Sequence, residues 1–248
     1  MADEFRSWTL PASNTLFETL LASARFEALG KGRRGAVLVK LDDAGAVPLV
    51  RTTTQYGNPS QRFHEIHDRI AKDIQQGGVS GVFNNALIEH YTHAYSTMKR
   101  HSDQALDLAV ESSIAIFSCY RDPDRPSRRL VVKSKAPDGL PFEIPLVHGG
   151  VVAFSLAANR RHTHTIALTA NAPDNEWLGI TYRTSKTFVR FIDGCPYFAD
   201  GERLTLATED QRRDFFQLKR RENDEASFTY PPIPYTISAG DLASHEHE

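Results

Sequence analysis

Apolar residues recur with helical spacing in the first third of the chain. One such run ends at Gly30 and follows a capping-box pattern at Thr15 and Glu18, in which a hydroxyl and a carboxylate satisfy free backbone N–H groups. Its members are Leu16, Leu20, Leu21, Ala24 and Leu29. A second run begins after Pro59, ends at Gly77-Gly78, and consists of Phe63, Ile66, Ile70 and Ile74. The pattern predicts two amphipathic helices that pack on a core.

The second predicted helix also carries two histidines, His64 and His67, around a glutamate. A zinc metalloprotease helix needs two residues between the glutamate and the second histidine, and this chain has one. We therefore interpret both histidines as solvent-exposed residues of the helix surface.

The pattern changes to short β-rich runs at about residue 83. Turn signals such as Pro137-Asp138-Gly139 separate the runs, and no helical pattern lies between them. The runs are 86–88, 113–117, 130–132, 142–144, 151–154, 165–168, 178–182 and 188–191. They predict a mainly β protein with flanking helices, of the α+β class, built on a two-sheet jelly roll.

Composition narrows the function classes. The 248 residues suit one domain or two small ones, and the net charge of −2 excludes a basic coat over the whole surface. No apolar stretch is long enough to span a membrane, no secretory signal is visible, and two cysteines favour a reducing cytosol. We expect a cytoplasmic protein, or a nuclear one in a eukaryote. The charged tail after about residue 219, with His245 and His247, is interpreted as a surface strap or loose end without a metal role.

A pair of metal-ligand residues follows the first predicted strand. His101 and Asp103 are two positions apart, which places both side chains on one face of an extended segment. His162 and His164 lie on a predicted strand of the facing sheet, and either could supply a third ligand. Two histidines and one carboxylate form the facial triad of non-haem Fe(II) oxygenases, which leaves positions open for a 2-oxo acid and O₂.

The charge of such a site predicts an anchoring cation. A ferrous ion with one aspartate and two neutral histidines carries +1, and a dianionic 2-oxoglutarate brings the total to −1. The distal carboxylate would be buried and would need a hydrogen-bonded cation. Arg183, at the end of the run 178–183, is the candidate.

These residues resemble the AlkB-like branch of the Fe(II)/2-oxoglutarate dioxygenases over most of residues 48–191. The run 51–57 is similar to the family's substrate-lid motif, and the resemblance implies that Arg51, Thr53 and Tyr56 contact substrate. The run 181–183 is similar to the family's closing Thr-Phe-Arg motif, which implies that Arg183 contacts the co-substrate.

The resemblance also implies a ligand set and a fold. His101, Asp103 and His164 match the iron ligands, and His164 is preferred to His162 because Thr165-Ile166 follows it. Tyr91 would hydrogen-bond 2-oxoglutarate. The implied fold is a double-stranded β-helix, cupin-like, with helices and lid in 1–82, the catalytic core in 83–192 and a C-terminal extension in 193–248. The implied activity is an oxidoreductase reaction that couples hydroxylation to conversion of 2-oxoglutarate and O₂ into succinate and CO₂.

Three positions depart from the family pattern. Glu89 stands where the family has Asn, and Trp177 stands where it has a second Arg, so the co-substrate is expected to be anchored with help from Lys186 or Arg190. Ala105 replaces the acidic residue with which base-repairing members read a flipped base.

Three functions remain open from the sequence. The leading hypothesis is hydroxylation of a C–H bond in a small polar metabolite or modified residue, favoured by Ala105. The second is oxidative demethylation of N-alkylated bases in DNA or RNA, favoured by the basic pairs Lys99-Arg100 and Arg160-Arg161, by the loop arginines 125, 128 and 129, and by Tyr56 and Trp177 as stacking partners. The third is a binding protein without catalysis. Substrate identity and oligomeric state stay undetermined at this stage, and no membrane partner is expected.

Overall fold

The computed structural model describes residues 4–244, so the tail histidines His245 and His247 lie outside the described residues. The strands are β1 (Phe5–Thr9), β2 (Glu27–Gly30), β3 (Arg33–Val39), β4 (Val47–Leu49), β5 (Gln61–Arg62), β6 (Asn85–Tyr91), β7 (Ser113–Tyr120), β8 (Arg128–Ser134), β9 (Phe142–Leu146), β10 (Gly150–Ser155), β11 (His162–Leu168), β12 (Trp177–Arg183), β13 (Thr187–Ile192), β14 (Cys195–Phe198), β15 (Thr205–Leu206) and β16 (Tyr235–Thr236). The helices are α1 (Leu16–Ala22), α2 (Glu65–Gln76), α3 (Leu156–Arg161) and α4 (Glu209–Asp224), with a 3₁₀ turn at Ala239–Leu242.

Two facing sheets form the centre of the molecule. The large sheet has the order β1-β10-β7-β12-β6-β3-β2, with β5 beside β3, and the small sheet has the order β11-β8-β9. The segment 97–101 bridges to β11 at Thr97 and His101 and so extends the small sheet. A shared apolar core between the sheets joins residues such as Ile116 and Leu130. This mainly antiparallel sandwich with few helices is a jelly roll, as predicted.

The eight predicted β runs are confirmed, since each lies within one of the strands β6 to β13. Two predictions between and after them are wrong. A short helix, α3, separates β10 from β11, and its six residues are too few to establish a helical period. Helix α4 continues to Asp224, so the first residues of the predicted loose tail belong to a sixteen-residue helix, which buries Phe215 in an apolar cluster. No helix among residues 4–244 is long and apolar enough to cross a membrane.

The first third is less helical than the pattern predicted. The first helix ends at Ala22, and the chain then forms β2, which turns into β3 through Gly30 at a φ of +93°. Leu29, the last residue of the predicted helical run, therefore lies on a strand. Thr15 makes no side-chain capping bond, so the predicted capping box is absent. β1, β2 and β3 all join the large sheet.

The second predicted helix is confirmed between Glu65 and Gln76, and Gly77 ends it. The exposed interpretation of His67 is wrong, because the side chain is fully buried. Its Nδ1 accepts the backbone N–H of His64 at 2.9 Å, and its Nε2 lies 2.8 Å from Ser23 Oγ. His67 therefore caps α2 and ties the helix to the end of α1.

The outer face of the large sheet is covered by α1 and α2. Phe17, Leu20 and Ile74 from these helices pack on Ile88 and Ile180 of the sheet. This face is closed and apolar, which leaves the inner face, between the two sheets, to hold the site.

Candidate active site

The structure brings the three predicted metal ligands together at one end of the sandwich. His101 and His164 are backbone partners, with N–H groups donating to each other's carbonyl at 2.9 and 2.7 Å. Their ring centroids are 4.7 Å apart, and Asp103 Oδ2 lies 3.6 Å from His164 Nε2. The bridge to β11 therefore places His164 beside His101 and Asp103, although about sixty residues separate it from them in sequence.

The electrostatic environment holds these groups in the protonation states that metal ligands need. Burial, and secondarily the nearby His101, lowers the pKa of His164 to about 3, so the ring is neutral near pH 7. Burial also lowers the pKa of His101. For Asp103, burial alone would raise the pKa, but Arg183 and the two histidines outweigh it and hold the pKa well below its usual range.

Hydrogen bonds orient the two ligands of the 101–103 segment. His101 Nδ1 lies 2.9 Å from the Lys99 carbonyl, which favours a proton on Nδ1 and leaves the Nε2 lone pair free. Asn159, on α3, forms two hydrogen bonds with the backbone of Asp103. Its Oδ1 accepts the Asp103 N–H at 2.8 Å, and its Nδ2 donates to the Asp103 carbonyl at 2.8 Å. Helix α3 thus fixes the aspartate against β11.

Helix α4 fastens the other side of the same segment. Asn223 Oδ1 accepts the N–H of Ser102 at 3.0 Å, and Glu222 Oε1 accepts the N–H of Ala105 at 2.8 Å. Lys219 Nζ donates to the Ser102 carbonyl and, at 2.7 Å, to Glu222 Oε2. The interpretation of the tail as a loose end is therefore wrong, because its helix supports the candidate ligands.

Arg183 contacts Asp103 directly. Its Nη2 donates to Asp103 Oδ1, while its own Nε and Nη1 and the Asp103 Oδ2 are buried without a hydrogen-bond partner. No three His, Cys, Asp or Glu side chains in residues 4–244 already surround a point where a metal ion could sit. The donor types fit a divalent ion, and the orphaned Oδ2 is the oxygen that such an ion would satisfy, once the three side chains converge further.

An open cavity of about 900 Å³ extends from this cluster. The ligand triad and Arg183 form one part of its wall, and Thr53 of the lid-like motif forms another. The remaining polar wall residues include Arg33, Thr52, Thr54, Gln55, Glu89, Thr97, Lys99, Arg100, Gln104, Thr181, Lys219, Arg220 and Asn223. The cavity is large enough for a co-substrate and a second small molecule.

Three of the residues predicted to contact substrate lie behind the cavity wall. Arg51 is buried in an ion pair with Asp107 and donates to two backbone carbonyls near residue 234. Tyr56 is buried with its hydroxyl 3.5 Å from Glu89. Trp177 packs on the ring of Tyr91 at a centroid distance of 4.8 Å. None of these three side chains lines the cavity, so none contacts a substrate there in this arrangement.

Glu89 is held by a polar cluster. Arg33 donates to its Oε1 through Nε at 2.9 Å and also through Nη2. Tyr91, the predicted co-substrate residue, is fully buried and donates its hydroxyl proton to Glu89 Oε2 at 2.7 Å. The carboxylate at the position where the family has Asn is therefore neutralised by an arginine from β3.

Only some of the basic residues predicted to flank the site lie at the cavity in the structure. Arg161 pairs with Glu4, Arg129 pairs with Glu143, and Arg128 is buried. Lys99 and Arg100 remain at the cavity, where Arg220 of α4 joins them. Lys186 and Arg190, the expected helpers in anchoring the co-substrate, are exposed on the β13 side of the molecule and do not line the cavity.

The sequence reasoning missed the residues that support the triad. Asn159, Lys219, Glu222 and Asn223 carry no motif, and each acts through a backbone group of the 102–105 segment. A helical reading of 209–224 would have been the only available signal for the last three.

Comparison with models of known protein families finds no match, and neither does comparison with curated proteins. Two solved structures are similar to this chain at low identity. OsALKBH1 is 16% identical with a TM-score of 0.45, over 69% of this chain and 91% of that one. A prolyl-4-hydroxylase from Pseudomonas putida is 15% identical with a TM-score of 0.43, over 73% of this chain and 92% of that one. At these values the function has to be argued from the site itself.

Proposed function

We propose that the protein is an Fe(II)/2-oxoglutarate-dependent dioxygenase that hydroxylates a C–H bond of a small polar metabolite or modified residue. The observation that carries the proposal is the convergence of His101, Asp103 and His164 at the wall of a large cavity, with the buried Oδ2 of Asp103 left without a partner. Two neutral imidazoles and one carboxylate on one side of an ion are the donor set of this enzyme class.

His101, Asp103 and His164 would hold the ferrous ion. With 2-oxoglutarate and O₂, the ion supplies an oxidation that is coupled to release of succinate and CO₂. The low pKa values keep both histidines neutral and the aspartate ionised near pH 7, so no ligand has to lose a proton before an ion binds. Asn159 and the α4 side chains hold the ligand segment in place.

Arg183 supplies a positive charge beside the ion. In the ligand-free arrangement its Nη2 neutralises Asp103 Oδ1, and its two remaining nitrogens have no partner. A carboxylate placed at the triad would satisfy these N–H groups, because an arginine presents several donors in one plane. Hydroxyl and amide groups of Thr52, Thr53 and Gln55 on the wall suit a polar substrate.

Demethylation of N-alkylated nucleobases is the second candidate. The observation that favours it is the group of three basic residues at the cavity, Lys99, Arg100 and Arg220, all of them exposed. Such a group would contact a phosphate backbone next to an extruded base. It would equally bind an anionic metabolite, so binding to oligonucleotides has to be measured directly.

The reaction class is tested by O₂-dependent succinate formation from 2-oxoglutarate with Fe(II). We expect turnover in the wild type, loss of turnover in His101→Ala, and unchanged turnover in His93→Ala. His93 is an exposed histidine of the loop before the site and serves as the matched control. Absence of succinate in the wild type, with and without a substrate panel, would favour the binding-protein hypothesis instead.

The substrate class is tested with methylated oligonucleotides and a panel of polar metabolites. If nucleic acid is the substrate, its binding should weaken steeply with salt and in the double variant Lys99→Ala/Arg100→Ala. Salt-insensitive stimulation by a metabolite would support the leading proposal.

A further inference from the structure

Arg128 is a charged residue in the apolar interior between the sheets. It begins β8, and its side chain is 1% exposed. The pattern of burial along the strand places Arg128, Leu130 and Val132 on the inner face, and Arg129 between them on the outer face. The sequence offers no reason for an arginine at a position where the same face otherwise carries Leu and Val.

The charge of Arg128 is not compensated within residues 4–244. Its Nη2 donates to the Thr92 carbonyl at 2.9 Å, and its guanidinium lies 5.1 Å from the centre of the Tyr91 ring. Its Nε and Nη1 are buried without any hydrogen-bond partner, and no carboxylate forms an ion pair with it. A buried cation with two unsatisfied donors is costly unless an anion completes it. Burial accordingly lowers the pKa of Arg128, against the opposing effect of Tyr91.

Two other arginines, which line the cavity, already have carboxylate partners. Arg183 pairs with Asp103, and Arg33 pairs with Glu89. Among the buried arginines that the structure describes in this interior, Arg128 therefore lacks a carboxylate partner. The imbalance points to an anion that enters the space between the sheets.

Arg128 lies on the same inner face as the candidate metal ligands, at the opposite end. Val132 is the β-sheet partner of His164, and Arg128 is four residues further along the same strand. At about 3.3 Å per residue the two levels are about 13 Å apart along the strand. An extended acid held at the metal level, together with the length of an arginine side chain, spans most of this separation.

Further unsatisfied polar groups lie at the level of Arg128. Trp177 Nε1 and Ser118 Oγ are buried without partners, and they belong to β12 and β7, where Trp177 pairs with Tyr120 and Ser118 pairs with Gly179. Both strands face β8 across the shared core. The interior between the sheets is thus apolar around Leu130, and near Arg128 it contains donors without hydrogen-bond partners.

We propose that Arg128 binds the distal carboxylate of the acidic co-substrate. Trp177, which stands where the resembled family has its second arginine, carries no charge that could pair with this carboxylate. The inference rests on the proposed function, because it assumes a 2-oxo acid at the triad. One carboxylate would then lie near Arg183 and the other near Arg128, so the two charges of a dicarboxylate meet two guanidinium groups. Arg128 does not itself line the cavity. Tyr95 does, and the Tyr91 ring lies between the Tyr95 ring, at 4.6 Å, and the Arg128 guanidinium, at 5.1 Å, so the proposal requires these two rings to move apart.

The test compares two 2-oxo acids that differ only in the distal carboxylate. Titration calorimetry on the anaerobic, Mn(II)-loaded protein measures binding of 2-oxoglutarate and of 2-oxopentanoate, without turnover. We expect the wild type to prefer 2-oxoglutarate, and Arg128→Met to lose at least 30-fold in affinity for it, about 2 kcal/mol. Affinity for 2-oxopentanoate should change less than threefold. Arg129→Met, on the outer face, is the matched control and should keep the preference.

Thermal unfolding of the ligand-free protein provides a second readout. Because Arg128 is uncompensated, Arg128→Met should unfold at the same temperature as the wild type or higher. A lower unfolding temperature, together with equal losses for both acids, would show a structural role and overturn the inference. If the wild type binds both acids and Arg128→Met keeps the preference, the inference fails while the proposed function stands. If the wild type binds neither acid, the proposed function fails and the inference with it.

Discussion

Two buried aspartates, four residues apart in sequence, each pair with an arginine, and the two pairs differ in how many of their polar atoms have hydrogen-bond partners. The Asp107 carboxylate accepts the backbone N–H of Arg51 at 2.8 Å and two N–H groups of the Arg51 side chain at 2.7 and 3.1 Å. The remaining nitrogen of Arg51, Nη1, donates to two backbone carbonyls. Asp103 accepts one donor from Arg183, and three polar atoms of that pair have no partner. The polar atoms of the Arg51–Asp107 pair find their hydrogen-bond partners within the protein. Those of the Arg183–Asp103 pair need a ligand or a metal ion as a further partner.

The difference separates structural from functional use of the same residue types. A satisfied buried pair fixes chain segments, here the lid-like motif and the region near residue 234. An unsatisfied pair at a cavity wall keeps free donors and acceptors at a place that a ligand can reach.

Replacing Asp103 with Ala should weaken Fe(II) affinity at least about 1,000-fold, or about 4 kcal/mol. Loss of a partner that only orients a ligand costs 10- to 100-fold, and loss of a ligand itself should cost more. Anaerobic metal titration measures the effect. Retained affinity would place the metal elsewhere.

Replacing Asp107 with Ala should lower the free energy of unfolding by about 3 kcal/mol, because Arg51 is left as a buried unpaired charge. The folded fraction should bind Fe(II) with wild-type affinity. Urea unfolding followed by metal titration below the transition checks both parts, and a metal-binding defect in the folded variant would erase the contrast with Asp103.

The free energy of unfolding should depend on pH through His67, a third buried polar group that is fully satisfied. Burial, and secondarily His64, lowers its pKa from 6.5 to about 4 in the folded state. Because the folded-state value lies below the unfolded one, the unfolded state binds the proton more readily. The stability is therefore fully present above pH 6.5 and is lost as the pH falls toward 4, by about 2 kcal/mol at pH 5.

The measurement for His67 is chemical unfolding between pH 7 and pH 5. His67→Gln should remove this part of the pH dependence, and the exposed control His93→Gln should keep it. Parallel pH profiles in the wild type and His67→Gln would contradict the assignment.

Replacing Asn159 with Ala should weaken Fe(II) affinity about 10-fold, because two hydrogen bonds that orient the backbone of Asp103 are lost. Metal titration of the folded variant measures it. Ser155 at the start of the same helix is a control for helix stability, since Ser155→Ala removes the cap without touching Asp103. Equal metal affinities in the wild type and Asn159→Ala would show that α3 does not position the ligand.

Local sequence patterns were sufficient for the β core, and they also suggested the candidate ligands, which stay a prediction. Alternation and turn residues mark each strand from β6 to β13, and the spacing of His101 and Asp103 is set by the geometry of an extended segment. These features depend on neighbours in sequence, and the structure brings the third ligand, His164, next to them through one antiparallel bridge.

The parts that escaped prediction depend on long-range partners. Arg51 matched a lid motif, yet Asp107 and the chain near residue 234 bury it. The tail looked loose by composition, and its helix is held by Lys219, Glu222 and Asn223 against a segment more than a hundred residues away. No local pattern shows which charge will be paired in the folded protein. That Arg128 lacks a carboxylate partner among residues 4–244 is therefore visible only in the structure.

The central claim is that a ferrous ion and a 2-oxo acid bind together at His101, Asp103 and His164. The most direct measurement is an anaerobic titration of Fe(II) and then 2-oxoglutarate, followed by visible absorption. The account predicts a weak charge-transfer band that saturates at one equivalent of each and is absent in Asp103→Ala. No band in the wild type, or a band that persists in the variant, would contradict it.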